Sequence, residues 1–212
     1  MDELSSFSAV QTVDIEGNPA RFGQTFRAEL TDGGITAAEL VIDRYQDPRR
    51  IIATEASAVI SVDELEGPFH EIPSDTTDPV YRAVLICIGA SWESVGFSPA
   101  VLLLARDIQP GDKEAINAIP VVGYSMTLDL TAVPDSALAA RNPELAKGFS
   151  QLLDQGVTEI PAELWIDDQF HVVRYAHTVD NDGVAIAMEW TLDDFDVPFD
   201  IRLPDPSQIR PG

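Results

Sequence analysis

The sequence predicts an antiparallel α+β domain, and three observations predict it. Segments with a two-residue apolar period recur with hairpin-type turns between them, helix signals occur in only two places, and the chain lacks the glycine-rich strand-to-helix loop of a wound α/β fold. At 212 residues the chain is long enough for one domain with a sizeable core, and no repeat, low-complexity tract or linker divides it. We read 1–212 as a single domain with a strand-rich part, 1–96, and a second part, 97–204.

The N-terminal half supplies successive strands. Ser6–Ile15, Phe22–Leu30, Ile35–Tyr45 and Ile51–Val62 are rich in β-branched and aromatic residues. Glu16-Gly17-Asn18-Pro19, Thr31-Asp32-Gly33-Gly34 and Gln46-Asp47-Pro48 separate them with the residues that tight turns require. Gly67–Pro79 (GPFHEIPSDTTDP) reads as a polar loop or entrance flap. Val80–Ile88 is nearly continuously apolar, the pattern of a strand covered on both faces. Cys87 lies inside that run and reads as a small apolar side chain; as the only cysteine it excludes an intrachain disulfide.

A short helix begins at Ser98-Pro99, a capping side chain followed by proline at the first helical position. Its continuation, Ala100–Ala105 (AVLLLA), is apolar all round and is expected to be buried. A strand pair follows, whose clearer member alternates Val122, Tyr124, Met126, Leu128 and Leu130 with Gly123, Ser125, Thr127, Asp129 and Thr131. From Asp135 to Gly156 the signals are helical again: Asp135 caps a first turn or two, Asn142-Pro143 restarts the helix, and Leu145, Phe149, Leu152 and Leu153 form one stripe. Ile160–Pro204 then reads as an antiparallel meander. Leu164-Trp165-Ile166 enters the polar turn Asp167-Asp168-Gln169, Phe170–Val179 returns, and Asp180-Asn181-Asp182-Gly183 turns the chain into a last strand. In that strand Val184, Ile186, Met188, Trp190 and Leu192 alternate with small or polar residues.

Thirteen Lys and Arg against 36 Asp and Glu leave a net charge of −23. Such a surface repels phosphate backbones and anionic bilayers, which excludes nucleic acid as a partner and leaves membrane contact to an anchor. The acidity reads as a solvated surface. No apolar segment has transmembrane length, and Met1-Asp2-Glu3-Leu4 opens neither a signal peptide nor a lipobox, although a chain stripped of its export signal would read identically.

Catalytic and metal constellations are missing from the pattern. His70, His171 and His177 are the only histidines. The last two fall on one face of a predicted strand, roughly 20 Å apart, too far to share a metal, and each reads as an exposed or hydrogen-bonded strand histidine. Asp180-Asn181-Asp182-Gly183 matches the start of a calcium loop, but the twelfth position is Thr191 inside a strand, so a hairpin turn is the reading. The neighbours Asp167-Asp168 and Asp193-Asp194 point to opposite faces and cannot flank one bond, which leaves them turn and strand-end roles. With no nucleophile elbow and no phosphate loop, the expectation is a protein that is not an enzyme and has no cofactor. What remains is apolar surface. Leu102, Leu103, Tyr124, Met126, Leu128, Phe149, Leu152, Leu153, Met188, Trp190 and Leu192 either fill a core or line a cavity, and pattern alone leaves both open.

Three stretches carry a family likeness. They are Ser98-Pro99-Ala100-Val101-Leu102-Leu103; Ile119-Pro120-Val121-Val122-Gly123-Tyr124 with Thr127-Leu128-Asp129-Leu130; and Ile160-Pro161-Ala162-Glu163-Leu164-Trp165-Ile166-Asp167 through Val173-Arg174, Leu192, Phe195 and Pro198. In order and spacing they resemble the LppX/LprG family of actinobacterial cell-envelope lipoproteins, which share the LolA-like fold. The likeness covers about the last half, Phe97–Pro204, while the first ninety or so residues agree only in being strand-rich. It implies a strongly curved antiparallel sheet, a half-open barrel, with helices on its concave face and acyl chains held between. It further implies a monomeric, extracytoplasmic carrier of an acylated lipid or glycolipid, with the eleven apolar residues above as cavity lining. The family's lipidated N-terminal cysteine has no counterpart here, so a membrane anchor is expected only from a segment before Met1. A LolA-like interaction or envelope-sensor module with a filled core is the competing expectation, and a hydrolase a distant third.

Overall fold

The computed structural model describes residues 4–16, 22–31, 34–43, 48–62, 65–78, 81, 85, 88, 99–141, 143–181 and 183–210. In chain order its strands are β1 (Ser6–Ile15), β2 (Phe22–Thr31), β3 (Gly34–Asp43), β4 (Arg49–Thr54), β5 (Ala58–Val62), β6 (Phe69–Glu71), β7 (Ala105–Ile116), β8 (Ile119–Asp129), β9 (Glu159–Ile166), β10 (Val172–Asn181), β11 (Val184–Asp193) and β12 (Ile209–Arg210). Two helices, α1 (Leu138–Arg141) and α2 (Pro143–Asp154), and 3-10 turns at Pro99–Leu104, Leu130–Asp135 and Pro206–Gln208 complete the described elements. The chain packs as two compact units: Met1–Thr12, Phe22–Val95 and Leu192–Gly212 form the first, Val13–Arg21 and Gly96–Thr191 the second.

In the first unit the hydrogen-bonded strand order is β12-β6-β5-β4-β3-β2-β1. β2 to β6 pair antiparallel in sequence order, and β12 lies parallel to β6 with Ile209 opposite Phe69. Leu40, Ile51 and Ile60 face one another in register on one side, all buried. On the other side Ile52, Val59 and Phe69 pack beneath Ile201, Leu203 and Ile209 of the C-terminal segment. Both faces are therefore covered, which accounts for the nearly unbroken apolar wording of β3 to β5.

Three expectations for this unit are corrected. Ile51–Val62 is two strands: the chain turns at Glu55-Ala56-Ser57, where Thr54 N donates to Ser57 O (2.9 Å) and Ala56 N to the Thr54 hydroxyl (3.3 Å). A threonine-held turn carries no Gly, Pro or Asn signal. The polar connection Gly67–Pro79 contains β6. Of the strand expected at Val80–Ile88, the described residues Tyr81 and Leu85 are helical, because a short apolar run fits a buried helix as well as a buried strand. Cys87, Ser98 and parts of the expected turns at 16–19, 31–34 and 46–48 lie outside the described residues.

The second unit is an antiparallel sheet in the order β11-β10-β9-β8-β7 with the helical pieces packed on one face. α2 ends as expected. Gly156 takes φ +93, Gly156 N donates to Leu153 O (2.9 Å) and Val157 N to Leu152 O (3.0 Å), a Schellman closure with Val157 and Leu152 in the same apolar cluster. β7 is the outermost strand; all its residues from Arg106 to Ala115 are exposed, and its register against β8 shifts twice, between Arg106 and Gln109 and between Pro110 and Lys113.

Candidate functional site

The apolar face of the second unit is built row by row from register. Tyr124 lies opposite Leu164, Leu164 opposite Tyr175, and Tyr175 opposite Trp190. The next row is Met126, Ala162, His177 and Met188, and beyond it stand Leu128 with Ile160 and Val179 with Ile186. A bulge between Val172 and Arg174 sets this alignment, since it returns Tyr175, His177 and Val179 to the same face as Val172. Val101, Leu104, Leu130, Val133, Leu138 and Phe149 from the helical pieces pack on the rows of β8, β9 and β10.

That cover is uneven. Met126, Leu128, Ile160, Ala162 and Leu164 are almost completely buried, whereas on β11 Ile186, Met188 and Trp190 are only half-buried and Val184 is 40% exposed. Of the eleven residues expected to line a cavity, Met126, Leu128 and Phe149 belong to the buried cluster, and Leu102, Tyr124, Leu152, Leu153 and Trp190 pack against it half-buried. Met188 shares the face through its pairing with His177, outside that cluster. Leu192 is buried and is assigned to the first unit. Leu103 is 44% exposed, which corrects the expectation of a helix buried all round: in a 3-10 turn residues three apart eclipse, so Val101 and Leu104 share the inner side and Leu103 does not.

His177 is the member of the face that sequence reading assigned elsewhere. It is neither exposed nor hydrogen-bonded at Nδ1, which is buried without a partner, and its ring lies 5.3 Å from that of Tyr175. Burial among apolar neighbours lowers its pKa to about 4, and burial raises the Tyr175 phenol. The readable signal was its position: downstream of the bulge, His177 stands where the alternation demands an apolar residue. His171 precedes β10 and pairs with Asp167 (Nδ1 to Oδ2, 3.0 Å), so the two histidines do not share a strand face.

The turn carboxylates do structural work. Asp167 Oδ1 accepts from the backbone of Gln169 (2.9 Å) and His171 (2.8 Å), Asp180 Oδ1 accepts from Gly183 N (2.8 Å), and Asp193 Oδ1 accepts from Asp194 N (2.8 Å). On the opposite face of the sheet Gly123, Trp165 and Arg174 follow one another in register. The Arg174 guanidinium sits 4.5 Å from the Trp165 ring centre and reaches Glu189 at 2.5 Å. The Trp165 indole approaches Gly123 so closely that a side chain there would meet it at 3.1 Å.

No family model matches the chain, and no curated protein matches it. Solved structures do. The chain is similar to the lipoprotein LppX of Mycobacterium tuberculosis at 15% identity and a TM-score of 0.52, covering 94% of this chain and 90% of LppX. It is similar to LprF of Mycobacterium bovis at 18% identity and a TM-score of 0.59, covering 96% and 90%. At such identities a likeness over nearly the whole of both chains establishes the fold, and the antiparallel architecture with few helices expected from the sequence is the one this chain shares with LppX and LprF.

Proposed function

We propose that this protein binds the acyl chains of a lipid or lipoglycan on the apolar face of its second unit and carries them at the cell envelope without catalysis. The observation that carries the reading is the half-covered row of β11: Val184, Ile186, Met188 and Trp190 continue the inner face of the sheet yet remain partly open, while the same face on β8 and β9 is sealed by helices. An ordinary filled core would bury that row; a face that receives a ligand leaves it open. Covering it with hydrocarbon gains about 0.8 kcal/mol per methylene removed from water. The shared fold with LppX, a mycobacterial lipoprotein, supports the envelope as the setting. In this reading the protein acts as a monomer, Tyr124 and His177 supply the polar atoms that meet a headgroup or ester, and any membrane attachment comes from an N-terminal lipid anchor.

The test is organic extraction and native mass spectrometry of protein purified from its own host. Co-purifying acyl lipid in stoichiometric amount is the expected result. Absence of lipid, together with failure to take up a fluorescent fatty acid, would turn the reading to an interaction or sensor module.

A further inference from the structure

The first unit holds a cavity of about 290 Å³ between its sheet and the C-terminal segment Pro198–Arg202. Register places Arg27, Glu39 and Ile52 side by side on the cavity floor, with Arg50 two residues along β4 from Ile52. Glu39 is a 10%-exposed carboxylate in the middle of an apolar strand, and it accepts from Arg50 Nε (2.8 Å) and Arg27 Nη1 (3.3 Å). Arg50 Nη1 turns instead to Leu65 O (3.5 Å) and Glu66 (3.3 Å). Phe199 supplies a ring 5.7 Å beneath the Arg27 guanidinium, and Ile201 N is tied to Glu29 at 3.4 Å. Arg202 closes the wall, paired with Asp200.

We propose that this cavity binds a phosphate group. Three of the chain's 13 basic residues line it, with Glu39, Asp200 and Glu66 as their partners, so guanidinium donors are concentrated at one place in a protein whose net charge is −23. A carboxylate buried between two guanidiniums orients both and leaves Nη2 of each for a ligand, and guanidinium forks match phosphate oxygens in pairs. The Arg202–Asp200 pair is largely solvent-exposed, so it is a weak pair that an entering anion can replace at little cost. At physiological salt, screening over roughly 8 Å weakens the repulsion of an anion by the remote acidic surface. The cavity suits a phosphoryl group with a small substituent, whether a soluble phosphate or the headgroup of a phospholipid. This inference is independent of the lipid reading for the second unit.

Thermal unfolding of the full chain in inorganic phosphate against sodium chloride of equal ionic strength reads the site. Phosphate is expected to raise Tm above the chloride control, and the double variant Arg27→Gln, Arg202→Gln to bind it roughly tenfold more weakly by calorimetry. Both replaced residues are surface-accessible and outside the buried core, so the variant keeps its fold. Glu39→Gln, which keeps the shape and removes the competing charge, is expected to tighten binding. Co-sedimentation with vesicles of phosphatidylglycerol in phosphatidylcholine separates the sources: pelleting that phosphate reverses assigns a headgroup, and phosphate binding without pelleting assigns a soluble phosphate. Equal Tm in phosphate and chloride, or a double variant that binds phosphate as the parent does, would overturn the proposal.

Discussion

Replacing His177 by phenylalanine should flatten the acid side of the stability profile. In the folded chain His177 is flanked by Ala162 and Met188 across the sheet and by Tyr175 and Val179 along its own strand face, with no carboxylate among them. Its pKa is lowered from 6.5 to about 4 by burial. Above about pH 7.5 the imidazole is neutral in folded and unfolded chains alike and contributes no pH dependence. As the pH falls from about 7.5 towards 4, the unfolded chain takes up a proton that the folded chain refuses, so stability is lost in that window and is regained as the pH rises. The full shift corresponds to roughly 3 kcal/mol, of which roughly 2 kcal/mol falls between about pH 7 and pH 5. Urea unfolding followed by tryptophan emission, on both proteins at a series of pH values, gives the difference directly. The surface carboxylates titrate in both proteins and cancel. The gap between His177→Phe and parent should widen by roughly 2 kcal/mol on going from about pH 7 to pH 5. A gap that stays constant would mean that the folded protein protonates His177 freely, and the account of a dry, unpartnered imidazole would be wrong.

Two substitutions on the apolar face should separate ligand from core. Met188→Trp, on the half-buried row, should lower fatty-acid uptake roughly tenfold while changing stability by less than about 1 kcal/mol, measured by fluorescent fatty-acid titration and urea midpoint. Leu128→Trp, at a position with no exposure, should instead cost about 1–3 kcal/mol through overpacking, whether or not lipid is bound. Gly123→Val should cost a similar ~1–3 kcal/mol, because the new side chain meets the Trp165 indole at about 3 Å and the Arg174 stack above limits its retreat; a blue- or red-shifted Trp emission maximum should accompany the loss. Unchanged stability in Gly123→Val would show that Trp165 is free to move.

Strands β8 and β11 were legible because each has one apolar face, so the period of two survives in their sequence, whereas β7, exposed from Arg106 to Ala115, carries no such period. Helix α2 announced its end through Gly156. The first unit was harder to read. With both faces of β3 to β5 covered, the period vanishes, and the division of β4 from β5 rests on a Thr54 hydroxyl. The strands β6 and β12, three and two residues long, are too short to carry any pattern. The cavity of the first unit had one trace in the sequence, Glu39 alone among the apolar residues of GITAAELVID, since a charge inside such a strand demands a partner. Its partners Arg27 and Arg50 come from the neighbouring strands, and the segment that roofs them lies more than 140 residues away along the chain. Whether each residue of the apolar face is sealed or open depends on where the helices stop, which periodicity does not encode.

The outermost strand β7 has a consequence for how these molecules behave at high concentration. An edge strand offers unpaired amides to any extended segment that arrives, and a long regular edge is a template for fibril growth. On β7 the shifts at Arg106–Gln109 and Pro110–Lys113 break the ladder, leaving Lys113–Ile116 as its longest uninterrupted run. Pro110 withholds one donor outright, the rim carries the charged side chains Arg106, Asp107, Asp112, Lys113 and Glu114, and the chain's net charge of −23 repels a second molecule. A concentrated solution of this protein should therefore stay dispersed by electrostatic repulsion while salt is low, and by the broken edge once salt has screened the charge.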